Sequence, residues 1–122
     1  MRIKEEPFNK VEKIWNDLYS KMLTQTSQYM QYDFQRIYKK YLKIGKQRAG
    51  MKYRVYVVYD NNEPKCIIPL ICKSNGKDYY LAGDLCSTGC LDFIYDPELS
   101  VNDMSEVLFL LRIIRGGYTT YQ

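Results

Sequence analysis

The chain has 122 residues, of which 46% are hydrophobic and 26% are charged, close to the average for a globular domain. This length predicts one domain with one core, and the composition excludes an intrinsically disordered chain. The absence of histidine from the sequence excludes histidine acid–base catalysis and histidine metal ligands. The longest apolar run, residues 107–111, is too short to cross a bilayer, and the first ten residues are too charged for a signal peptide. We therefore expect a cytoplasmic protein without a membrane span.

The first half of the chain predicts two amphipathic helices before any strand. The first has apolar residues at helical spacing, with Asn9 placed to cap it: Val11, Ile14, Trp15, Leu18, Tyr19 and Met22. The second is expected to begin behind Ser27 and to end near Gly45. Its predicted apolar stripe consists of Met30, Phe34, Ile37, Tyr38 and Tyr41.

The second half predicts an antiparallel meander and a third helix. Residues 52–60 and 64–72 have the alternation of two strands, joined by a turn at 61–63, and residues 78–83 predict the next strand. Pro69 lacks an amide proton, so it should lie at an edge, a bulge or an irregular strand end. Residues 90–96 are compatible with a short fourth strand, and residues 118–122 resemble the start of another.

The third helix is expected within residues 100–117, with Asn102 or Asp103 as its cap. Its apolar residues cover more than half of its circumference, which predicts packing partners on two sides. The order of elements predicts an α+β fold for residues 1–122.

Four cysteines are present, which we expect to be reduced thiols in the cytoplasm: Cys66, Cys72, Cys86 and Cys90. A structural zinc site usually needs two closely spaced pairs of ligands. Cys86 and Cys90 could form one pair, but Cys66 and Cys72 are spread along a predicted strand. The spacing therefore favours buried packing residues over a metal site.

Positive charge is concentrated in the first 54 residues, which carry thirteen Lys and Arg against five acids, whereas residues 55–122 carry five against nine. Eight basic residues follow one another without an intervening acid: Arg36, Lys39, Lys40, Lys43, Lys46, Arg48, Lys52 and Arg54. The candidate anion-binding residues are Arg36, Lys39, Lys40 and Lys43. A solvated helix face is the favoured alternative, and nucleic acid is a disfavoured partner.

Acidic residues gather after the meander: Asp84, Asp92, Asp96 and Glu98. Asp84 and Asp96 have turn residues beside them, which indicates a structural role. Asp92 lies between apolar neighbours, where burial would raise its pKa and suit it to accept a proton. Asp92 is thus the candidate catalytic residue, and Asp92 and Tyr95 are the candidate substrate-binding residues.

A set of short motifs resembles a known family. They are W-x-x-L at Trp15 and Leu18, Thr26-Ser27 before Met30, I-P-L at residues 68–70, and D-F at residues 92–93. Their order resembles, over roughly residues 11–115, the N-terminal part of GNAT-type N-acetyltransferases of the cellulose and polysaccharide biosynthesis branch, with a layout similar to Fem-type aminoacyl transferases. Met30 departs from the tryptophan usual in the family.

The resemblance implies a GNAT-like fold and, for a full-length relative only, acetyl-CoA as cofactor. The family's cofactor loop reads roughly Q/R-x-x-G-x-G/A and opens a helix, where backbone amides hold the pyrophosphate. In residues 112–117, "RIIRGG", Arg115 replaces the first glycine and the glycines end a helix. We expect no cofactor site in this chain.

Three hypotheses follow from the sequence. The first is an acceptor-side acyltransferase domain, inactive alone, whose partner is a missing C-terminal half. The second is a non-enzymatic module that binds nucleic acid or an anionic glycan through its basic helix. The third is an association domain, whose last helix pairs with another copy or another chain.

Overall fold

The computed structural model describes residues 1–22, 30–41, 52–72, 79–81 and 93–114. Within these residues the chain forms an α+β arrangement of helices around an antiparallel sheet. The elements in chain order are β1 (Arg2–Glu6), a 3-10 helix (Phe8–Lys10), α1 (Glu12–Lys21), α2 (Tyr32–Tyr41), β2 (Lys52–Asp60), β3 (Glu63–Cys72), β4 (Tyr79–Leu81), β5 (Ile94–Tyr95) and α3 (Val101–Ile114).

The strands pair antiparallel in the order β1-β2-β3-β4, and β5 pairs with β3 as well. The predicted hairpin is confirmed, with Asp60 opposite Glu63 at its tip. Asn61 and Asn62 form a two-residue turn with φ angles of 53° and 65°. Asparagine tolerates this left-handed conformation, and the resulting turn matches the right-handed twist of paired strands.

β1 precedes both helices, so the prediction of two helices before any strand is wrong. The sequence of β1 offers one strongly apolar residue, Ile3, and gives little local signal for a strand. Pairing with β2 decides its conformation, because Ile3 lies opposite Val58 and the Arg54 guanidinium lies 3.0 Å from the Glu5 carboxylate. Tertiary pairing outweighs local propensity at such a position.

The helices cover both faces of the sheet. One buried cluster joins α1 and the start of α2 to alternate strand residues, including Val55 and Val57. A second cluster joins α3 to the other set, including Tyr56 and Val58. All four of these consecutive residues of β2 are buried, because each face of the strand meets a helix layer.

Pro69 lies inside β3 and opposite Val55. On the other side of β3, β5 pairs with Cys66 and Ile67, whereas β4 pairs from Leu70 onward. Pro69 therefore falls in the interval between two short partner strands. This placement agrees with the expectation that its missing amide proton lies where pairing is irregular.

The helix starts differ from the predicted ones. The 3-10 helix occupies the region of Asn9, and α1 begins behind Val11 without a side-chain cap, so the prediction of Asn9 as a cap is wrong. Ahead of α3, the Ser100 Oγ accepts a hydrogen bond from the Asp103 N–H at 3.0 Å. Asp103 Oδ2 accepts one from the Ser100 N–H at 3.1 Å. Ser100 is the cap in this reciprocal pair, and Asn102 is not part of it.

The apolar stripe of α2 also differs in part from the prediction. Met30 and Tyr38 are buried as expected, but Ile37 is 47% exposed. Tyr32 and Gln35 are buried in its place. Compared with the prediction, α2 is therefore rotated about its axis, and the side-chain amide of Gln35 lies in the core. Ser27, Gly45 and residues 118–122 lie outside the described residues.

α3 packs on the sheet through Val107 and Leu111, while Leu108 is 46% exposed and Phe109 is 57% exposed. The prediction of partners on two sides is met on one side only, among the residues that the structure describes. Those residues also contain no helix long and apolar enough to cross a membrane.

Candidate functional site

A buried carboxylate organises the end of β5. Asp96 is only 3% exposed. Its Oδ1 accepts a hydrogen bond from the Glu98 N–H at 3.0 Å, and its backbone carbonyl accepts one from the Leu99 N–H at 3.0 Å. Aspartate commonly stabilises turns in this way. The structural role expected for Asp96 from the sequence is thus present.

The second oxygen of Asp96 contacts two lysines from distant parts of the chain. The Lys21 Nζ donates to Oδ2 at 3.3 Å, and the Lys65 Nζ lies 3.5 Å from the same oxygen. Lys21 ends α1, whereas Lys65 lies in β3. The carboxylate therefore links a helix, the sheet and the turn that leads to α3.

A β-bulge directs Lys65 toward Asp96. The register of β2 with β3 changes so that Val58 lies opposite Cys66 and Tyr59 lies opposite Pro64. Lys65 is the extra residue between these pairs, and its carbonyl accepts a hydrogen bond from the Asp96 N–H at 2.8 Å. Bulges often reorient a side chain at a functional or structural site.

The pKa values of Asp96 and Lys65 are shifted so that both groups stay charged at neutral pH. The Glu98 N–H, and then the Lys21 ammonium, hold the pKa of Asp96 below its usual value against the opposing effect of burial. Hydrogen bonding to Glu63, followed by the charge of Asp96, raises the pKa of Lys65 above its usual value. The cluster is an ion network. The raised pKa of Lys65 keeps its amine protonated, which disfavours it as a nucleophile or base at neutral pH.

The same lysines line an open cavity of about 310 Å³ between α1 and the tip of the hairpin. Ile14, Leu18 and Pro64 contribute its apolar surface. Lys13 and Asp17 lie on its rim together with Lys21, Lys65 and Glu63. Cations and carboxylates are both present at this rim, so its charges select no single class of ligand.

A second cavity, of about 450 Å³, lies where β1 turns toward α1. It is lined by Glu5, Glu6, Pro7, Phe8, Asn9, Lys39, Tyr53, Arg54 and Val55. Phe8 is stacked on Tyr32, with ring centroids 4.5 Å apart. The Tyr53 ring stands nearly perpendicular to Phe8 at 85°, with centroids 5.3 Å apart.

The position of Tyr53 is fixed by a buried amide. Its hydroxyl donates to Gln35 Oε1 at 2.6 Å, and Gln35 is fully buried. Burial raises the pKa of Tyr53 well above its usual value, so the phenol keeps its proton and remains a donor. This bond joins α2 to β2 behind the second cavity.

The candidate anion-binding residues that the structure describes lie on α2. Arg36 is exposed, and its Nε lies 3.6 Å from the Asp33 carboxylate in the preceding turn. The Lys39 Nζ lies 5.9 Å from the centroid of the Phe8 ring, at the second cavity. Lys40 is exposed, and Lys43 lies outside the described residues. Of the candidate anion-binding residues that the structure describes, Lys39 lies at a cavity.

The candidate substrate-binding residues are only partly described. Asp92 lies outside the described residues, so its roles as catalytic and substrate-binding residue stay predictions. Tyr95 lies in β5 and packs against both core clusters. Its backbone N–H lies 3.1 Å from the Met22 sulfur. Asp96, immediately after it, makes the ionic contacts.

Cys66 and Cys72 are buried in β3, with exposures of 0% and 4%. Their positions match the prediction that these thiols are packing residues. In the part of the chain that the structure describes, no three potential metal ligands cluster together. Cys86 and Cys90 lie outside that part.

Residues 112–114 begin the segment that was compared with the family's cofactor loop, and they lie in a helix. Arg112 and Ile114 belong to the last turn of α3. A helix end carries partial negative charge and unpaired carbonyls, whereas a pyrophosphate needs the amides of a helix start. The described part of this segment thus offers no amide cradle for the cofactor.

Comparisons with protein-family models, curated proteins and solved structures find no match to this chain.

Two features of these sites do not follow from the sequence patterns. The sequence predicts only a turn at Asp96, because its partner Lys21 lies 75 positions away. Phe8 lies outside the periodic stripe of α1, although it contacts Trp15 with ring centroids 5.9 Å apart. The local signal for Asp96 was its position after the apolar residues 93–95, since a carboxylate there needs a partner when it is buried.

Proposed function

We propose that this chain is the acceptor-side domain of a GNAT-like acetyltransferase and is inactive alone. The observation that carries the proposal is the arrangement of elements. Two helices lie on one face of an antiparallel meander and a third helix follows on the other face. This arrangement is compatible with the N-terminal half of the fold that the sequence resemblance implies.

The exposed face of α3 supports a role as part of a larger assembly. Leu108 and Phe109 expose about half of their surfaces next to the buried residues Val107 and Leu111. Exposed apolar side chains that adjoin each other commonly mark a surface that contacts another chain or domain. In the proposal this surface contacts the cofactor-binding half.

Self-association is the second candidate that this face supports. Two copies could cover Leu108 and Phe109 through their α3 helices. Sedimentation velocity separates the two candidates. Self-association predicts a concentration-dependent rise in sedimentation coefficient that Phe109→Ser removes, whereas the acceptor-side proposal predicts a monomer at all concentrations.

The acceptor in this proposal is a primary amine, and Asp92 accepts its proton or orients it beside Tyr95. The pairing of β5 with β3 and the ion network of Asp96 hold residues 94–96, which are close in sequence to Asp92, and this supports the proposal. A carboxylate within hydrogen-bond reach of an ammonium group stabilises its bound form.

A titration of ¹⁵N-labelled protein with a panel of amines tests this proposal. Amino sugars, amino acids and alkyl diamines are added without cofactor, and the amide shifts are followed by NMR. We expect one class of amine to shift the amides of residues 92–96 in a saturable manner, and Asp92→Asn to weaken that binding about tenfold.

Asp17→Asn is the matched control, since Asp17 is an exposed carboxylate on α1. It should bind the amine as the unaltered protein does. If no amine perturbed residues 92–96, or if both substitutions had equal effects, the assignment of an acceptor site to Asp92 would be wrong.

A further inference from the structure

The aromatic rings of Phe8 and Tyr53 line the second cavity, which lies where β1 turns toward α1. Contacts with residues outside the cavity hold both rings in position. Phe8 is stacked on Tyr32, and Tyr53 is fixed by its hydrogen bond to Gln35. The two cavity-lining rings are nearly perpendicular. A flat ring can lie in such a corner with its face toward one wall and its edge toward the other, the geometries that aromatic pairs prefer.

The carboxylates of this cavity already have partners. Glu5 lies 3.0 Å from the Arg54 guanidinium. Glu6 accepts a hydrogen bond from the Tyr59 hydroxyl at 2.5 Å and lies 4.0 Å from the Lys4 ammonium. Each carboxylate therefore already has a donor, and neither is left as an unpaired anion in the cavity.

Lys39 is the cation of this cavity that has no carboxylate within 4.0 Å among the described residues. Its ammonium instead lies near the Phe8 ring, 5.9 Å from the centroid. A contact between an ammonium and a ring is weaker than a charge-assisted hydrogen bond to an anion. Lys39 can therefore turn from Phe8 to an anionic ligand at small energetic cost.

The size of the cavity, about 450 Å³, lies within the usual range for small-molecule sites. We propose that it binds a ligand that joins a planar ring to an anionic group, with the ring against Phe8 and Tyr53 and the anion at Lys39. A mononucleotide and an aromatic carboxylate both have this chemistry. This inference goes beyond the proposed acceptor role and does not depend on it.

Calorimetric titrations with adenosine monophosphate and with 4-hydroxybenzoate distinguish the two sources. We expect one of them to bind saturably. Compounds that carry one half of the chemistry are the ligand controls: adenosine and 4-hydroxybenzyl alcohol lack the anion, and ribose 5-phosphate lacks the ring. Each should bind at least about tenfold more weakly than its complete counterpart.

The protein variants test the cavity itself. Lys39→Met keeps the aliphatic stem and should weaken binding about tenfold, whereas Lys40→Met on the exposed side of α2 should change it by less than about twofold. Phe8→Leu should also weaken binding, with its fold checked by thermal unfolding. If Phe8→Leu does not fold, Lys39→Met and the ligand controls decide the question.

Three results would overturn the proposal. They are no saturable binding of either complete ligand, equal binding of ribose 5-phosphate and adenosine monophosphate, and equal losses for Lys39→Met and Lys40→Met. A single-stranded oligonucleotide that binds while neither small ligand does would likewise count against the cavity and would favour a surface that follows the charged face of α2.

Discussion

Each oxygen of the Asp96 carboxylate has a different set of partners. Oδ1 stabilises the turn that leads to α3, and Oδ2 contacts the ammonium groups of Lys21 and Lys65. Because the carboxylate is almost fully buried, it depends on all of these donors to compensate for the loss of water.

We expect Asp96→Asn to lower the free energy of unfolding by about 1.5–3 kcal/mol, the usual range for a hydrogen bond to a charged group. The side-chain oxygen of asparagine can still accept the hydrogen bond from the Glu98 N–H. It carries no negative charge, so the ion pairs with Lys21 and Lys65 are lost. Urea unfolding at neutral pH measures the loss. Asp17→Asn, an exposed substitution, should change stability by less than about 0.5 kcal/mol.

The contribution of Asp96 should also depend on pH. Its pKa in the folded protein lies below the ordinary value of 3.8. Its stabilising effect is therefore fully present above that value and disappears as the pH falls through the folded pKa. Urea unfolding at neutral pH and at about pH 3 should show the difference between Asp96→Asn and the unaltered protein becoming smaller in acid. A constant difference would contradict the assignment.

Trp15 connects α1 to the start of α2. Its indole N–H donates to the Met30 carbonyl at 2.8 Å, and both residues are fully buried. Trp15→Phe leaves that carbonyl without its donor, so we expect a loss of about 1–3 kcal/mol in the free energy of unfolding. Tyr32→Phe removes a partly buried bond to the Phe8 carbonyl and should cost less, about 0.5–1.5 kcal/mol.

Local patterns predict residues such as Trp15 better than residues such as Asp96. Trp15, Leu18 and Met22 repeat at helical spacing, and all three are buried. The role of Asp96 depends on lysines brought near it by folding, and no local pattern contains that information. The same applies to Gln35, a polar residue whose burial follows from its partner Tyr53 on β2.

Among the elements, the β2–β3 hairpin has a clear pattern in the sequence because alternation and turn residues agree over residues 52–72. β1 does not, since its alternate positions are mostly charged and its strand conformation depends on β2. The bulge at Lys65 could not be predicted from the sequence either, because a single extra residue leaves no distinct pattern in a strand of this composition.

The start of α3 provides a test at this scale. Ser100→Ala removes the acceptor for the Asp103 N–H and should lower the free energy of unfolding by about 1 kcal/mol. Asn102→Ala should have little effect, because the structure places Asn102 inside the helix. Thermal unfolding of the two variants compares them directly. A larger loss for Asn102→Ala would show that the sequence-based assignment of the cap was correct.

At the scale of the whole molecule, helices cover both faces of the sheet, but α3 retains an exposed apolar face. Leu111→Ala removes a buried side chain and should lower the free energy of unfolding by about 2–5 kcal/mol. Leu108→Ala on the exposed face should lower it by less than about 0.5 kcal/mol in a monomer. Urea unfolding at two protein concentrations measures both losses. A large, concentration-dependent loss for Leu108→Ala would indicate that α3 joins two copies.

The α+β class followed from the order of periodic segments, and the structure confirms it. The pairing of β5 with β3, beside β4, could not be predicted, because the pairing of so short a strand is set by the rest of the sheet. The acceptor site stays a prediction for a related reason. Asp92 lies outside the described residues, and its partner groups are not specified by its neighbours in the sequence.

We propose that residues 1–122 carry the acceptor side of an acyltransferase and do not bind acetyl-CoA by themselves. Calorimetric titration of acetyl-CoA into the Lys39→Met variant, in which the proposed ring-and-anion cavity is weakened, tests it most directly. We predict no saturation up to about millimolar concentration, because residues 112–114 continue α3, whereas a pyrophosphate needs the free amides of a helix start. Saturable binding with a micromolar Kd would contradict the claim.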